Sequence, residues 1–235
     1  MKGTLWLIPN VLDDGNPGNV LSQSVLEQVR KIRYFIIENE KSARRFLVRA
    51  GLKEVLDEIE WGMLNEHTRE PELAPLLKPI LEGADGGVLS ESGCPGVADP
   101  GAEIVRLAHQ SGILVKPLTG PSSVILALMA SGLNGQSFAF LGYLPVKPPE
   151  RIKKIREIEQ RSRLHKETQI FIEAPYRNRQ LLSDLIQTLS PDSWLSVSAD
   201  LTSTAEFIRT AQVWEWSQKV PDLNKRPAIF LVSAK

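Results

Sequence analysis

Apolar and polar positions follow two rhythms along this chain. Thr4-Leu5-Trp6-Leu7-Ile8 is a short apolar run closed by Pro9-Asn10, the pattern of a buried strand. Between Ser22 and Ile32 the apolar residues fall at Val25, Leu26, Val29 and Ile32, a helical stripe with Ser22 or Ser24 as its N-cap. Tyr34-Phe35-Ile36-Ile37 predicts a second strand, and residues 42–50 a helix that stops at Gly51. Residues 53–70 carry no clear period. Helical spacing returns over 71–82, followed by a strand over 87–90, a helix over about 102–110 and a strand over 113–115. Strands and helices in alternation predict a mostly parallel sheet covered on its faces by helices.

The second half changes character. A helix over 124–130 leads to strands over 138–143, 169–173, 194–199 and 228–232. The run KPPERIKKIREIEQRSRLHK is highly charged, and a solvated helix face is expected within it. A helix is expected over 179–189. The C-terminal strand suits a central or an edge position equally. The Pro/Gly/Ser cluster PLTGPSS, residues 117–123, marks the change. It divides the chain into an N-terminal α/β domain, 1–117, and a C-terminal α/β domain, 118–235.

Residues 90–101, SESGCPGVADPG, join the strand over 87–90 to the next helix. Turning that corner needs only about two to six residues. Here three glycines and two prolines crowd into it. Glycine lets backbone come close to a ligand or take positive φ, and proline stiffens the chain around it. In a parallel sheet, ligands bind where the carboxyl ends of the strands gather their loops. A second loop of this kind, TGPSS, follows the next strand. Two such loops on adjacent strands are expected to form opposite walls of one crevice. Asp99 and Ser90 have the chemistry to hydrogen-bond a sugar or an amine.

Composition narrows the function. Of 235 residues 42% are apolar, enough for one large domain or two compact ones. Lys+Arg and Asp+Glu number 28 each, so the chain lacks the basic excess of proteins that grip long nucleic acid by charge alone. The lone Cys94 excludes an intramolecular disulfide and suits a reducing compartment. MKGTLWLIPN is too short for a signal-peptide core, and no apolar run approaches a membrane span. A soluble cytoplasmic protein with no membrane contact is expected. No His/Cys spacing points to a metal. Cys94, with no histidine partner in view, reads as a small packing residue rather than a nucleophile.

The block GVLSESGCPGVADPGAEIVRLAHQSGILVKPLTGPSSVILALMASGL resembles the central region of the tetrapyrrole-methylase superfamily of S-adenosylmethionine-dependent methyltransferases. It is most similar to the branch that methylates the ribose 2′-hydroxyl of small-subunit ribosomal RNA. That branch carries SDAGTPxIxDPG and PLPGPS/C motifs. The likeness continues in Phe140-Leu141-Gly142-Tyr143-Leu144-Pro145, similar to EGFLP, and in Glu173-Ala174-Pro175-Tyr176-Arg177, similar to ESPHR. Leu201-Thr202 with Glu206 resembles ELTKxxE. The resemblance implies two α/β domains of the tetrapyrrole-methylase type, an S-adenosyl-L-methionine cleft between them, and a homodimer. By the matched motifs, Ser90, Glu91, Gly93, Ala98 and Asp99 would line the cofactor, with Pro121, Ser122 and Ser123 facing them. Pro9, Ala174 and Leu201 would complete the set.

Cofactor-wall residues are largely kept, with SDAGTP becoming Ser90-Glu91-Ser92-Gly93-Cys94-Pro95, while positions expected to face the substrate depart from the family pattern. Val11 to Asn19 is a longer polar loop than the family's TPIGNL. AEDTR becomes Ile37-Glu38-Asn39-Glu40-Lys41, the lysine of ELTK becomes Ser203, and Arg226-Pro227 precedes the last strand in place of GE. Methyl transfer to a hydroxyl or ring carbon calls for a base, and the candidates are Glu38, Glu66, His67 and Glu173. Glu173, at a strand end, is placed to face a crevice; the alternatives are holding Arg177 or capping the next helix. His67 is either a base or a solvated loop histidine. Basic residues cluster at Lys41-Arg44-Arg45-Arg49 and again over 147–166, and both clusters suit phosphates. The expected substrate is RNA, ribosomal RNA or the small ribosomal subunit. A tetrapyrrole or other small molecule, or a cofactor-binding dimer without catalysis, are the alternatives.

Overall fold

The computed structural model describes residues 1–65 and 68–235, with Glu70 described by its backbone alone. The chain divides into two compact units, Met1–Ser122 and Ser123–Lys235.

The first unit runs β1 (Thr4–Ile8), α1 (Gln23–Lys31), β2 (Tyr34–Ile37), α2 (Glu40–Leu47), β3 (Glu60–Met63), α3 (Glu70–Leu76), α4 (Lys78–Leu81), β4 (Gly86–Leu89), α5 (Gly101–Gln110) and β5 (Leu114–Pro117). Its five strands are all parallel, in the order β3-β2-β4-β1-β5. The apolar runs of β1, β2 and β4 are explained by burial on both faces. Phe35, Ile37, Ile8 and Leu89 pack with Val25, Val29 and Phe46 of α1 and α2. Leu5, Ile36 and Val88 pack with Leu73, Ile80 and Ile104 of α3, α4 and α5 on the other face.

Two sequence expectations are revised here, and an unassigned stretch gains an element. The helix expected from 42 begins at Glu40, because the Asn39 side chain accepts the Ser42 N–H at 3.1 Å and caps it. The single helix expected over 71–82 breaks at Leu77. Pro79 has no N–H to give the Pro75 carbonyl and its ring crowds that oxygen, so one continuous helix cannot form. The unassigned stretch holds β3, an edge strand too polar to show a period.

The second unit runs α6 (Ser123–Ser131), β6 (Phe138–Tyr143), α7 (Pro148–His165), β7 (Thr168–Ile172), α8 (Asn178–Thr188), β8 (Trp194–Ala199), β9 (Phe207–Gln212), α9 (Val213–Trp216) and β10 (Ala228–Ser233). Its sheet has the order β6-β7-β10-β8-β9. Only β6 and β7 pair in parallel; the other pairs are antiparallel. The C-terminal strand is therefore central, and β9, which sequence periodicity did not reveal, is an edge. The charged segment forms α7, but that helix is more than a solvated face. Its inner side buries Ile155 and Ile158 together with Arg151, Glu159 and Ser162. Arg151 Nε meets Asp184 Oδ2 of α8 at 2.6 Å, and Glu159 accepts from Ser190 N and Ser193 Oγ.

Candidate active site

In the first unit the loops at the carboxyl ends of β1, β2, β4 and β5 come together. Residues 90–101 form a tight coil in which Gly93 and Gly96 have φ of 71° and 79°. Ala98, at φ 60°, adopts the same left-handed region without being glycine, a strained choice. Two side chains hold this coil. Asp99 Oδ1 accepts from Gly96 N at 2.6 Å and Gly101 N at 2.8 Å, tying the loop to the first residue of α5. Asn10, 4% exposed, donates through Nδ2 to the carbonyls of Ser90 and Glu91, each at 3.0 Å. Its backbone also bridges Gly93, with Asn10 N to Gly93 O at 2.8 Å and the return bond at 3.2 Å.

Asn10 was not among the residues the sequence singled out. The signal lay in its position, immediately after Pro9 at the end of a buried strand. Asp99 and Ser90 were expected to bond a ligand directly. In the structure Asp99 Oδ1 serves the loop's own backbone, and the buried Ser90 hydroxyl donates to Ser92 O at 3.0 Å.

The two Gly/Pro loops are not on adjacent strands as expected. β1 lies between β4 and β5, so the end of β1 separates them. They nevertheless touch: Cys94 Sγ donates to Pro121 O at 3.4 Å. Gly120 lies so close to Pro9 that a Cβ there would sit 2.3 Å from the ring. Pro9 and Pro121 are both buried, and Ser122 is half-buried. Burial, and then the Asp99 charge, push the Cys94 thiol above its ordinary pKa.

Glu38, half-buried, ends β2 and lines a narrow hollow with Asn39, Ser42, Ser90 and Glu91. Alongside, Asn10, Ser42, Glu91, Arg45 and Arg49 border a groove of about 330 Å³, counting its solvent-facing mouth. His67 and Glu66 lie outside the described residues. Among the described residues no group of three or more His, Cys, Asp and Glu side chains is placed to hold a metal ion.

In the second unit the ends of β7 and β8 meet the start of β10. Glu173 is 4% exposed. Its Oε1 accepts from Ala174 N at 2.7 Å and from Arg177 Nε at 2.9 Å, and the hydrogen bond to Arg177 raises the arginine's pKa. Glu173 thus holds Arg177, one of the alternatives left open by sequence. Its Oε2 is buried with no partner among the described residues. Leu201 is buried in the turn after β8, where Asp200 and Thr202 take positive φ. That turn is fastened by Arg226 Nε to Asp200 Oδ2 at 2.5 Å, Arg226 Nη2 to Ala205 O at 2.7 Å and Thr202 N to Glu206 Oε2 at 2.9 Å. The departure at Arg226 therefore has a structural purpose, pinning the turn that carries Leu201. Ser123 is the first residue of α6, and Ala174 opens a short 3-10 turn after β7.

A glycine coil at the carboxyl end of β4 in a wholly parallel sheet, followed by a mixed sheet, is a fold shared with solved methyltransferases. No protein-family model matches the chain. The crystal structure of uroporphyrin-III-C-methyltransferase from Thermus thermophilus superposes with a TM-score of 0.57 at 20% identity, covering 99% of this chain and 93% of that one. The chain is 29% identical over 231 residues to ribosomal RNA small subunit methyltransferase I of Vibrio cholerae, covering 97% of this chain and 76% of the relative. It is 30% identical over 209 residues to the protein of the same name from Halalkalibacterium halodurans, covering 88% of this chain and 68% of the relative. The chain belongs to the ribosomal RNA small subunit methyltransferase I family, and it is a methyltransferase.

Proposed function

We propose that this methyltransferase uses S-adenosyl-L-methionine to methylate a ribose 2′-hydroxyl of small-subunit ribosomal RNA. The observation that carries the reading is the glycine coil of residues 90–101, held from both ends by Asn10 and Asp99 at the carboxyl edge of a parallel sheet. Such a coil offers backbone N–H and C=O groups with no side chain in the way, which fits a ligand carrying an amine, a carboxylate and ribose hydroxyls. The relatives' name supplies the RNA. The cofactor residues proposed in the first unit are Pro9, Ser90, Glu91, Gly93, Ala98, Asp99, Pro121 and Ser122.

When bound, the cofactor supplies a methyl group on a sulfonium. The chain's own task is alignment, which accounts for much of the rate of such a displacement. The bound cofactor would supply the methyl group and leave as the thioether, and a carboxylate of the chain would take the hydroxyl proton. Glu38 fits that role better than Glu173. It is half-buried beside Ser90 and Glu91, whereas the Glu173 carboxylate is closed to solvent. Replacing Glu38 with Gln should lower kcat by about 10²–10⁴-fold, the usual contribution of a general base. Affinity for S-adenosylhomocysteine, measured by calorimetry, should stay the same. An unchanged kcat would remove Glu38 from the chemistry.

A homodimer in the cytoplasm accords with this reading. Met129, Phe138 and Tyr143 of the second unit are exposed apolar or aromatic side chains of the kind a second copy covers. Sedimentation of the purified chain tests the dimer. No described helix is long and apolar enough to cross a membrane.

A further inference from the structure

The groove beside Glu91 holds an ion pair that does nothing for the fold's core. Asp14, in the polar loop after β1, has a side chain 83% exposed. One of its oxygens, Oδ1, serves two guanidiniums: Arg45 Nη1 at 3.1 Å and Arg49 Nη2 at 3.8 Å. Arg49 also donates to Gly15 O at 3.4 Å. These arginines lie four residues apart, so both side chains reach one face of the same helical stretch. The neighbouring Arg44 is committed elsewhere, paired with Glu40 at 2.7 Å and lying over the Trp61 ring.

One carboxylate oxygen shared by two guanidiniums leaves hydrogen-bonding capacity on both arginines, although Asp13 and Glu91 line the same groove. Arginine pairs bidentately with phosphate as it does with carboxylate. Exposed ion pairs contribute little to stability, so displacing Asp14 costs little. Pro17 is buried and anchors the far end, while Asp14 is followed by Gly15. The groove's other acids are Asp13, whose Oδ1 closes the turn onto Gly15 N, and Glu91. Its lining continues from Arg45 and Arg49 past Ser42 to Glu91, which follows the cofactor coil's first residue.

We propose that Asp14 occupies the seat of an RNA backbone phosphate, and that substrate binding replaces it on Arg45 and Arg49. This rests on the RNA methyltransferase reading and adds to it a named phosphate subsite and an internal competitor. The phosphate belongs to a nucleotide flanking the one that reacts, because the groove shares Ser42 and Glu91 with the neighbouring hollow that Glu38 and Ser90 line.

Binding of unmodified small-subunit ribosomal RNA to the full chain, measured across a salt series, tests it. Asp14→Asn should tighten binding about three- to fivefold, the scale of one exposed ion pair. Arg45→Gln and Arg49→Gln should each weaken it and flatten the salt slope by about 0.7, the value of one single-strand phosphate contact. In the Arg45→Gln/Arg49→Gln background, Asp14→Asn should have no effect. Thermal unfolding confirms that each variant is folded. RNA binding in which Asp14→Asn is neutral, or tightens equally without the arginines, overturns the subsite while leaving the RNA reading intact. A folded, cofactor-binding chain with no RNA affinity overturns both.

Discussion

Asn10 shows how much one residue can decide. Its amide holds two carbonyls of the glycine coil, its Oδ1 accepts from Val11 N, and its backbone bridges Gly93. Asn10→Ala leaves those carbonyls buried without their donor, at a cost of about 2 kcal/mol. Denaturant unfolding should show that loss, and calorimetry a weaker affinity for S-adenosylmethionine. Cys94 makes the opposite point. Burial and Asp99 raise its pKa, so the thiol stays protonated at neutral pH. Its alkylation by iodoacetamide should be slower than that of a free thiol and should speed up only as pH climbs past the ordinary thiol range. Reading it from sequence as a packing residue agrees with its hydrogen bond to Pro121. The roles of Asp99 and Arg226 were not legible in the same way. Both are polar residues beside a ligand motif, and only coordinates reveal that their partners are backbone atoms and a neighbouring turn.

At the scale of elements, the strands and helices with strong periods were visible in sequence: β1, β2, β6 and β8 among the strands, α1 and α8 among the helices. What escaped had a physical cause in each case. β3 and β9 are edges with one face half-wet, so their apolar pattern is diluted. The break at Leu77 arises from proline spacing, which an apolar stripe does not register. The placing of β1 between β4 and β5 is a matter of topology, invisible to local pattern. Close approach between loops leads to a sharp expectation at Gly120. A methyl there would meet the rigid Pro9 ring at 2.3 Å, and overpacking of that kind costs about 1–3 kcal/mol. Gly120→Ala should therefore shift the 117–123 loop and weaken cofactor binding while unfolding at lower denaturant. The α7–α8 contact offers a second test. Arg151 and Asp184 are both buried, with Arg151 also donating to Val146 O and Gln180 to Asp184. Arg151→Met strands the Asp184 carboxylate and should cost about 3–5 kcal/mol in chemical denaturation. Arg151→Met with Asp184→Leu should recover much of it, since a buried pair replaced by apolar residues is often neutral.

For the molecule as a whole, equal numbers of acidic and basic residues bear on the RNA substrate proposed above. Zero net charge means that RNA must be held by local geometry rather than by a general field. The salt dependence of binding should then be shallow, set by a few arginines of the first unit. The central claim is that this chain moves a methyl group from S-adenosylmethionine to a ribose hydroxyl of small-subunit ribosomal RNA. The direct measurement is incubation of the purified protein with methyl-labelled S-adenosylmethionine and unmodified small ribosomal subunits, followed by nucleoside analysis of the RNA. Label in a single 2′-O-methyl nucleoside, reduced by Glu38→Gln, is the result expected. Label in a base, or none at all in RNA from a protein that binds the cofactor, would contradict it.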